Sequence, residues 1–390
     1  MNAYIVAGVR SAVGRGRKGG FRFVRPDDLG ARVVKALMDR VPGFDPKRVD
    51  DLIVGNAMPE AESGLNFARY LGLMSLPIEV PAVTINRYCA SGLEAIAMAS
   101  MKIHTGQADA VVAGGAESMS LVPLGGYKVA PSYEITKSHP SYYYGMGHTA
   151  EEVARRWKIT RQEADEFSYN SHMKAIKAIQ EGKFKAEIAP IEVEHVFVKN
   201  DKKVQGSYVV DTDENPRADT SIEALGKLKP VFTADGVVTA GNSSPITDGA
   251  AFVLVVSEKV LKEFNLTPIA QIKGYAVMGV EPEIMGIGPV AAIPKALAKA
   301  GLKLQDIDVI ELNEAFATQS LAVIRDAGLD PDKVNPNGGA IALGHPLGCT
   351  GAKLTVQVLS ELARRGGKYG MVTACVGGGQ GIAGILERLN

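Results

Sequence analysis

The sequence of 390 residues predicts an α/β fold made of two similar halves with a segment inserted between them. A polar turn leads from a helix into an apolar strand twice, at distant places in the chain. Asp45-Pro46-Lys47-Arg48-Val49-Asp50 precedes Asp51-Leu52-Ile53-Val54-Gly55, and Leu304-Gln305-Asp306-Ile307-Asp308 precedes Val309-Ile310-Glu311-Leu312-Asn313. Each half then continues with a further helix and a strand closed by glycines, as expected of a duplicated α/β unit. Composition agrees: 46% hydrophobic and 22% charged residues, with 43 Gly and 20 Pro, describe a folded chain long enough for two ordinary cores. We divide it into 1–118 plus about 241–265, an inserted loop domain at 119–240, and a second half at 266–390.

The first strand, Tyr4-Ile5-Val6-Ala7-Gly8, lies close to the N-terminus, with no basic leader or long apolar region before it. Gly14-Arg15-Gly16-Arg17-Lys18-Gly19 has the spacing of a dinucleotide-binding loop. Gly20-Phe21-Arg22-Phe23-Val24-Arg25-Pro26 follows it where that fold needs a helix, so the basic cluster reads as a solvated loop. In Ile85-Asn86-Arg87-Tyr88-Cys89-Ala90-Ser91-Gly92-Leu93-Glu94 an apolar strand gives way to a helix whose Leu93, Ile96, Ala97 and Met101 share one face. A strand and tight turn follow at 108–115.

Residues from about 119 to 232 break the pattern. They are rich in Tyr and Lys, carry as many acidic as basic side chains, and contain two helix-start signatures, Thr149-Ala150-Glu151-Glu152 and Thr160-Arg161-Gln162-Glu163. An insertion packed over the first half is the reading. In the second half a helix at about 351–365 precedes the strand Tyr369-Gly370-Met371-Val372-Thr373-Ala374-Cys375.

Charge excludes several function classes. Lys plus Arg equals Asp plus Glu at 43 each, so no overall field recruits nucleic acid or an anionic membrane. No apolar run reaches the roughly 20 residues that span a bilayer. Cys89, Cys349 and Cys375 form no paired motif, which disfavours a disulfide framework or a structural metal and suits a reducing compartment. The C-terminus carries no peroxisomal tripeptide, so the expected location is the cytoplasm.

Four segments carry chemistry. Cys89 stands at a helix start, where backbone N–H groups favour a thiolate. With an ordinary pKa of about 8.5, a cysteine needs such a field or a nearby base to act as a nucleophile. Asn313-Glu314-Ala315-Phe316 follows a strand, Asn337-Gly338-Gly339-Ala340-Ile341-Ala342-Leu343-Gly344-His345-Pro346-Leu347-Gly348 leads into a helix, and Cys375-Val376-Gly377-Gly378-Gly379-Gln380-Gly381 closes the last strand. Each sets one reactive side chain in a frame of small residues. Cys349 reads instead as a small core hydrophobe, and His104, His139, His172 and His195 as ordinary histidines. His148 is intermediate, because it adjoins Met146.

Together the four segments resemble the thiolase family over essentially the whole chain, and Asn86-Arg87 resembles its degradative 3-ketoacyl-CoA branch. The resemblance implies a five-layered α-β-α-β-α arrangement, a homodimer or homotetramer, and thiolytic cleavage of 3-ketoacyl-CoA by coenzyme A, a substrate rather than a cofactor. It implies Cys89 as nucleophile, His345 as its base, Cys375 as acid and then base, and Asn313 as holder of a water at the enolate oxygen. The N–H groups of Cys89 and Gly377 become oxyanion donors. For coenzyme A and the acyl chain it implies Ser244, in Val238-Thr239-Ala240-Gly241-Asn242-Ser243-Ser244, with Arg217, Phe232, Ala315, Phe316, Met146 and Met285. The chain departs from the pattern at Ala224, where some relatives place a nucleotide-contacting serine. No metal is implied.

Other readings remain. An acetoacetyl-CoA thiolase running the Claisen condensation would share these residues. A decarboxylating ketoacyl synthase uses one Cys with two His, which Cys375 argues against. A non-catalytic acyl-CoA or lipid carrier of the same form would bind these ligands without turnover. A fatty-acid-oxidation multienzyme partner fits the degradative reading, and no motif identifies one.

Overall fold

The structure, a computed structural model, describes residues 2–390. The first half contains β1 (Ala3–Arg10), β2 (Gly14–Arg15), α1 (Pro26–Asp39), β3 (Asp51–Gly55), α2 (Phe67–Ser75), β4 (Ala82–Ile85), α3 (Ser91–His104) and β5 (Ala110–Ser118). Next come α4 (Tyr133–Ser138), α5 (Met146–Trp157), α6 (Arg161–Gln180), the hairpin β6 (Ile191–Lys199) and β7 (Lys202–Val210), and α7 (Ile222–Gly226). Then β8 (Thr247–Ser257) and α8 (Glu258–Glu263) return to the first half. The second half runs β9 (Ala270–Gly279), α9 (Gly288–Ala300), β10 (Val309–Leu312), α10 (Ala317–Asp326), α11 (Ala340–Leu343), α12 (Leu347–Arg365), β11 (Tyr369–Val376) and β12 (Gln380–Arg388).

The duplication is visible in the strand order. One half-sheet runs β4-β3-β5-β8-β1 and the other β9-β12-β11-β10. In each, the first strand of the half pairs antiparallel with the last, and the inner strand pairs parallel with the next one out. Val334 bridges Ile310 in parallel at the outer edge of the second half-sheet, where β4 stands in the first. The halves meet at the antiparallel pair Ile5 and Ala270.

Three cores hold five layers together, the central one reaching both half-sheets. One lies under α1 and α2, one between the half-sheets around α3 and α12, and one under α9. Every residue of β5 and β8 is buried, as strands covered on both faces must be. Packing between α3 and α12 is close enough to forbid side chains. A Cβ on Gly92 would stand 2.6 Å from the Ala352 nitrogen, and one on Gly351 2.3 Å from the Leu93 nitrogen. The two helix N-termini thereby meet at the centre of the molecule.

Local expectations differ from the structure in several places. Thr149 does not cap a helix: α5 already begins at Met146, and the Thr149 hydroxyl donates back to the Met146 carbonyl at 2.7 Å. Glu151 instead accepts from the Val237 and Val238 N–H groups, both at 2.9 Å, a tertiary demand that its sequence neighbours do not reveal. Thr160 and Glu163 do form the reciprocal cap. Met101 is exposed in the last turn of α3, and α12 starts at Leu347, one turn early. The basic glycine loop wraps a carboxylate of the chain's own, that of the exposed Glu214, which accepts from Arg15 N–H (2.8 Å) and Gly20 N–H (3.0 Å). No helix among the described residues is long and apolar enough to cross a membrane.

Candidate active site

Cys89 sits in a single 3-10 turn, Tyr88–Ala90, ahead of α3. Tyr88 has φ +43, a conformation that costs a non-glycine residue free energy and that the surroundings must enforce. They do so with three bonds: Asn86 Oδ1 accepts from Tyr88 N–H (2.8 Å), Ser91 Oγ accepts from Arg87 N–H (2.8 Å), and the Ser91 hydroxyl donates to the Tyr88 carbonyl (2.7 Å). The thiol lies among Ala57, Met119 and Leu347, itself 7% exposed.

His345 precedes α12 as Cys89 precedes α3, and the crossing of the two helices brings their starts together, with Leu347, two residues after His345, packed against Cys89. Gly344 makes the turn at φ +101, and a Cβ there would stand 2.6 Å from Thr247. His345 Nε2 lies 3.3 Å from Asn313 Nδ2, and Nδ1 lies 2.6 Å from Thr350 Oγ1. The Thr350 hydroxyl already donates to the Pro346 carbonyl (3.1 Å), so it accepts from Nδ1–H and leaves the Nε2 lone pair facing Asn313. Burial, helped by the charge of Lys353, lowers His345 to about 3. At neutral pH it is an uncharged base.

Cys375 is the penultimate residue of β11, inside its buried run, and Gly377 follows in the turn to β12. The N–H groups of Gly377 and of Cys89 itself lie on the side of the Cys89 sulfur. These donors favour the thiolate, but burial outweighs them and pushes Cys89 up to about 12. The expected helix-start activation is therefore insufficient alone, because a desolvated thiolate lacks a counter-charge. Burial and the nearby Cys89 push Cys375 up as well. The two thiols are thus electrostatic neighbours, each neutral at rest.

Two further groups escaped the reading of the sequence. Glu117, at the end of β5, is buried and accepts from Ala57 N–H (2.7 Å), Gly348 N–H (2.8 Å) and Asn56 Nδ2 (3.1 Å). It ties the loop after β3 to the start of α12, and burial raises it to about 7. An acid in an otherwise apolar strand was the available signal. Thr350, which fixes the His345 tautomer, offers none. Glu314 holds backbone: it accepts from Ser171 Oγ (2.7 Å), Asn335 Nδ2 (2.8 Å) and Ile341 N–H (3.2 Å). Cys349 is buried against the central core.

The structure gathers most of the residues expected to line the ligand path. Met146, Phe232, Met285, Ala315 and Phe316 form one apolar cluster with Cys375. Ser244 joins its edge through its N–H, which donates to the Ala315 carbonyl at 3.0 Å. Phe232 also contacts the ring of His148 at 5.7 Å. Arg217 is outside this cluster, exposed and within 3.4 Å of Asp219. Near Ala224, Ser221 caps the short α7 by accepting from the Ala224 N–H at 3.1 Å. An open cleft of about 500 Å³ beside α5, lined by Tyr144, His148, Arg155, Lys158 and Asp235, includes neither thiol. Among the described residues no cluster of His, Cys, Asp or Glu could hold a metal ion.

Comparison with known proteins identifies the family of the chain. Residues 3–259 match the model of the thiolase N-terminal domain and residues 266–388 that of the thiolase C-terminal domain. A 3-ketoacyl-CoA thiolase of Bacillus subtilis (strain 168) is 51% identical over 387 residues, covering 99% of both chains. The crystal structure of human mitochondrial 3-ketoacyl-CoA thiolase superposes with a TM-score of 0.90 at 41% identity, and that of a Bacillus anthracis acetyl-CoA acetyltransferase with 0.88 at 41%. Each comparison covers 100% of this chain and 99% of the other.

Proposed function

The chain belongs to the thiolase family, and from that premise we propose how its residues divide the labour of the reaction it catalyses, thiolytic cleavage of a 3-ketoacyl-CoA by coenzyme A. What supports the proposal is the nearness of two buried thiols, with Gly377 beside Cys89 and the neutral His345 at the start of the helix that packs on Cys89.

His345 Nε2 takes the Cys89 proton as the sulfur attacks the keto carbon. Negative charge collects on that carbonyl oxygen, where the N–H groups of Cys89 and Gly377 receive it. The bond between the keto carbon and its neighbour then breaks, leaving an acyl thioester on Cys89 and the enolate of acetyl-CoA. His345 and the Asn313 amide, with the water it holds, face the enolate oxygen, while Cys375 gives its proton to the enolate carbon. In the second half, the Cys375 thiolate takes the proton of incoming coenzyme A, whose sulfur attacks the thioester. The chain-shortened acyl-CoA leaves, and the Cys89 thiolate regains its proton from His345.

The apolar group Met146, Phe232, Met285, Ala315 and Phe316, with Ser244 at its edge, guides pantetheine and acyl chain. Arg217 reaches the nucleotide end only after leaving Asp219. Because the reactions run in both directions through the same residues, the condensing alternative differs in preference rather than machinery. Three unpaired cysteines suit a reducing compartment, and we place the protein in the cytoplasm, which cell fractionation checks.

The decisive experiment follows loss of acetoacetyl-CoA and of a longer 3-ketoacyl-CoA with free coenzyme A, in the native protein and in Cys89→Ala. Cleavage that requires both coenzyme A and Cys89, with higher kcat/KM for the longer substrate, supports the degradative assignment. Preference for acetoacetyl-CoA would move it to the biosynthetic branch. Binding without turnover by the native protein would leave a carrier.

A further inference from the structure

The nucleophile and the Gly377 donor belong to opposite halves of the molecule, and a chain of side-chain hydrogen bonds joins the two segments. Arg87, two residues before Cys89, donates through Nε and Nη2 to the Glu94 carboxylate (2.6 and 3.2 Å). Tyr275 on β9 donates its hydroxyl to the same carboxylate, fixing it from the other side. The remaining arm of Arg87, Nη1, donates to Gln380 Oε1 at 3.1 Å. With its oxygen engaged there, the Gln380 amide turns Nε2 toward the Gly377 carbonyl, 3.5 Å away. A Gly377 Cβ would stand 3.5 Å from the ring of Tyr88, the residue before Cys89, and the Gly377 N–H favours the Cys89 thiolate, so the path returns to the nucleophile turn and closes into a ring through Cys89, Arg87, Gln380 and Gly377.

The Gly377 end of the turn needs such a tether. Gly378 and Gly379 have φ +77 and +81, and nothing lies within 4 Å of where a Gly378 Cβ would be. Gly377 itself has only van der Waals neighbours in that sense, the Tyr88 ring at 3.5 Å and the Met146 sulfur at 3.7 Å. Backbone contacts hold the far end of the turn, where the Gly379 carbonyl accepts from Val280 N–H at 2.7 Å and a Gly379 Cβ would stand 2.3 Å from the Val280 carbonyl; they do not reach Gly377, whereas an oxyanion donor must be held to about 0.5 Å. A planar guanidinium that forks between a carboxylate and an amide can impose that precision, and a lysine cannot.

We propose that Arg87 and Gln380 are positioning residues for the thiolytic reaction: their bridge holds the Gly377 N–H on Cys89 sulfur and on the oxyanion formed there. The inference rests on the reaction assigned above. It is tested by steady-state cleavage of 3-ketoacyl-CoA and by the rate of Cys89 alkylation with iodoacetamide at fixed alkaline pH, followed by peptide mass. The proteins compared are the native chain, Arg87→Lys, Gln380→Ala and the double variant.

The expected fall in kcat is roughly ten- to hundredfold, less than the 10²–10³ or so that follows outright loss of an oxyanion donor. KM should stay within about twofold, alkylation should slow as the thiolate loses its donor, and the double variant should be no worse than the worse single one. Effects confined to KM, additive effects of the two changes, or unaltered alkylation would each overturn the proposal. If Arg87→Lys unfolds, Gln380→Ala, at a half-buried position, carries the test. Failure of the native protein to cleave substrate would remove the thiolytic reading, while alkylation, which needs no substrate, would still report on the ring.

Discussion

At rest the Cys89 proton stays on sulfur, because burial penalises the thiolate while His345, lowered to about 3, is a weak acceptor. Transfer becomes favourable only as the sulfur bonds to carbon and the charge moves to an oxygen with two N–H donors. That timing keeps a reactive thiolate from standing exposed between turnovers. Cys375, without Gly377 or a histidine beside it in the hydrogen-bond pattern, is suited to carry a proton rather than to attack. Cys375→Ala should therefore lower kcat by about 10²–10⁴, the usual worth of a positioned acid or base. Intact-protein mass after mixing with 3-ketoacyl-CoA reads the consequence: a slowly formed acyl adduct on Cys89 that coenzyme A discharges poorly. Turnover at the native rate would remove Cys375 from the mechanism.

Among the elements, α3 and α12 decide the site, since each begins beside one reactive residue and the pair meet backbone to backbone. Gly351→Ala would put a methyl 2.3 Å from the Leu93 nitrogen in a layer covered on both sides. The helices must separate, at a cost of roughly 1–3 kcal/mol and more if the sheets resist. Gly226→Ala, at the end of the exposed α7, meets nothing within 4 Å and should be neutral or slightly stabilising. Urea unfolding midpoints of the two variants test the contrast. Equal midpoints would mean that the central layer is not the tight joint described. Gly351→Ala should also depress activity beyond its loss of stability, because spreading the helices carries His345 away from Cys89.

On the scale of the whole molecule, the exposed apolar residues Leu65, Tyr70, Leu73, Ile78 and Val83 lie on or beside β4 and α2. Strand β4 is the open edge of its half-sheet. An uncovered edge with apolar neighbours invites pairing, and a homo-oligomer formed by a second copy across this edge is the assembly we propose. Light scattering should give a multiple of the 41.3 kDa chain, and Val83→Glu should shift it toward monomer. A native monomer would sink that proposal. Much of this molecule was legible in the sequence: the α/β alternation, its duplication, and the motifs around Cys89, Asn313, His345 and Cys375. These depend on local chemistry, such as glycines at turns and a reactive side chain where strand meets helix. Tertiary structure alone decided that Glu151 serves a distant loop rather than a cap, that Glu117 joins two segments, and that Thr350 selects the His345 tautomer. It also decided the resting protonation of both thiols, because burial and the approach of one half to the other fix a desolvation cost that no stretch of sequence contains.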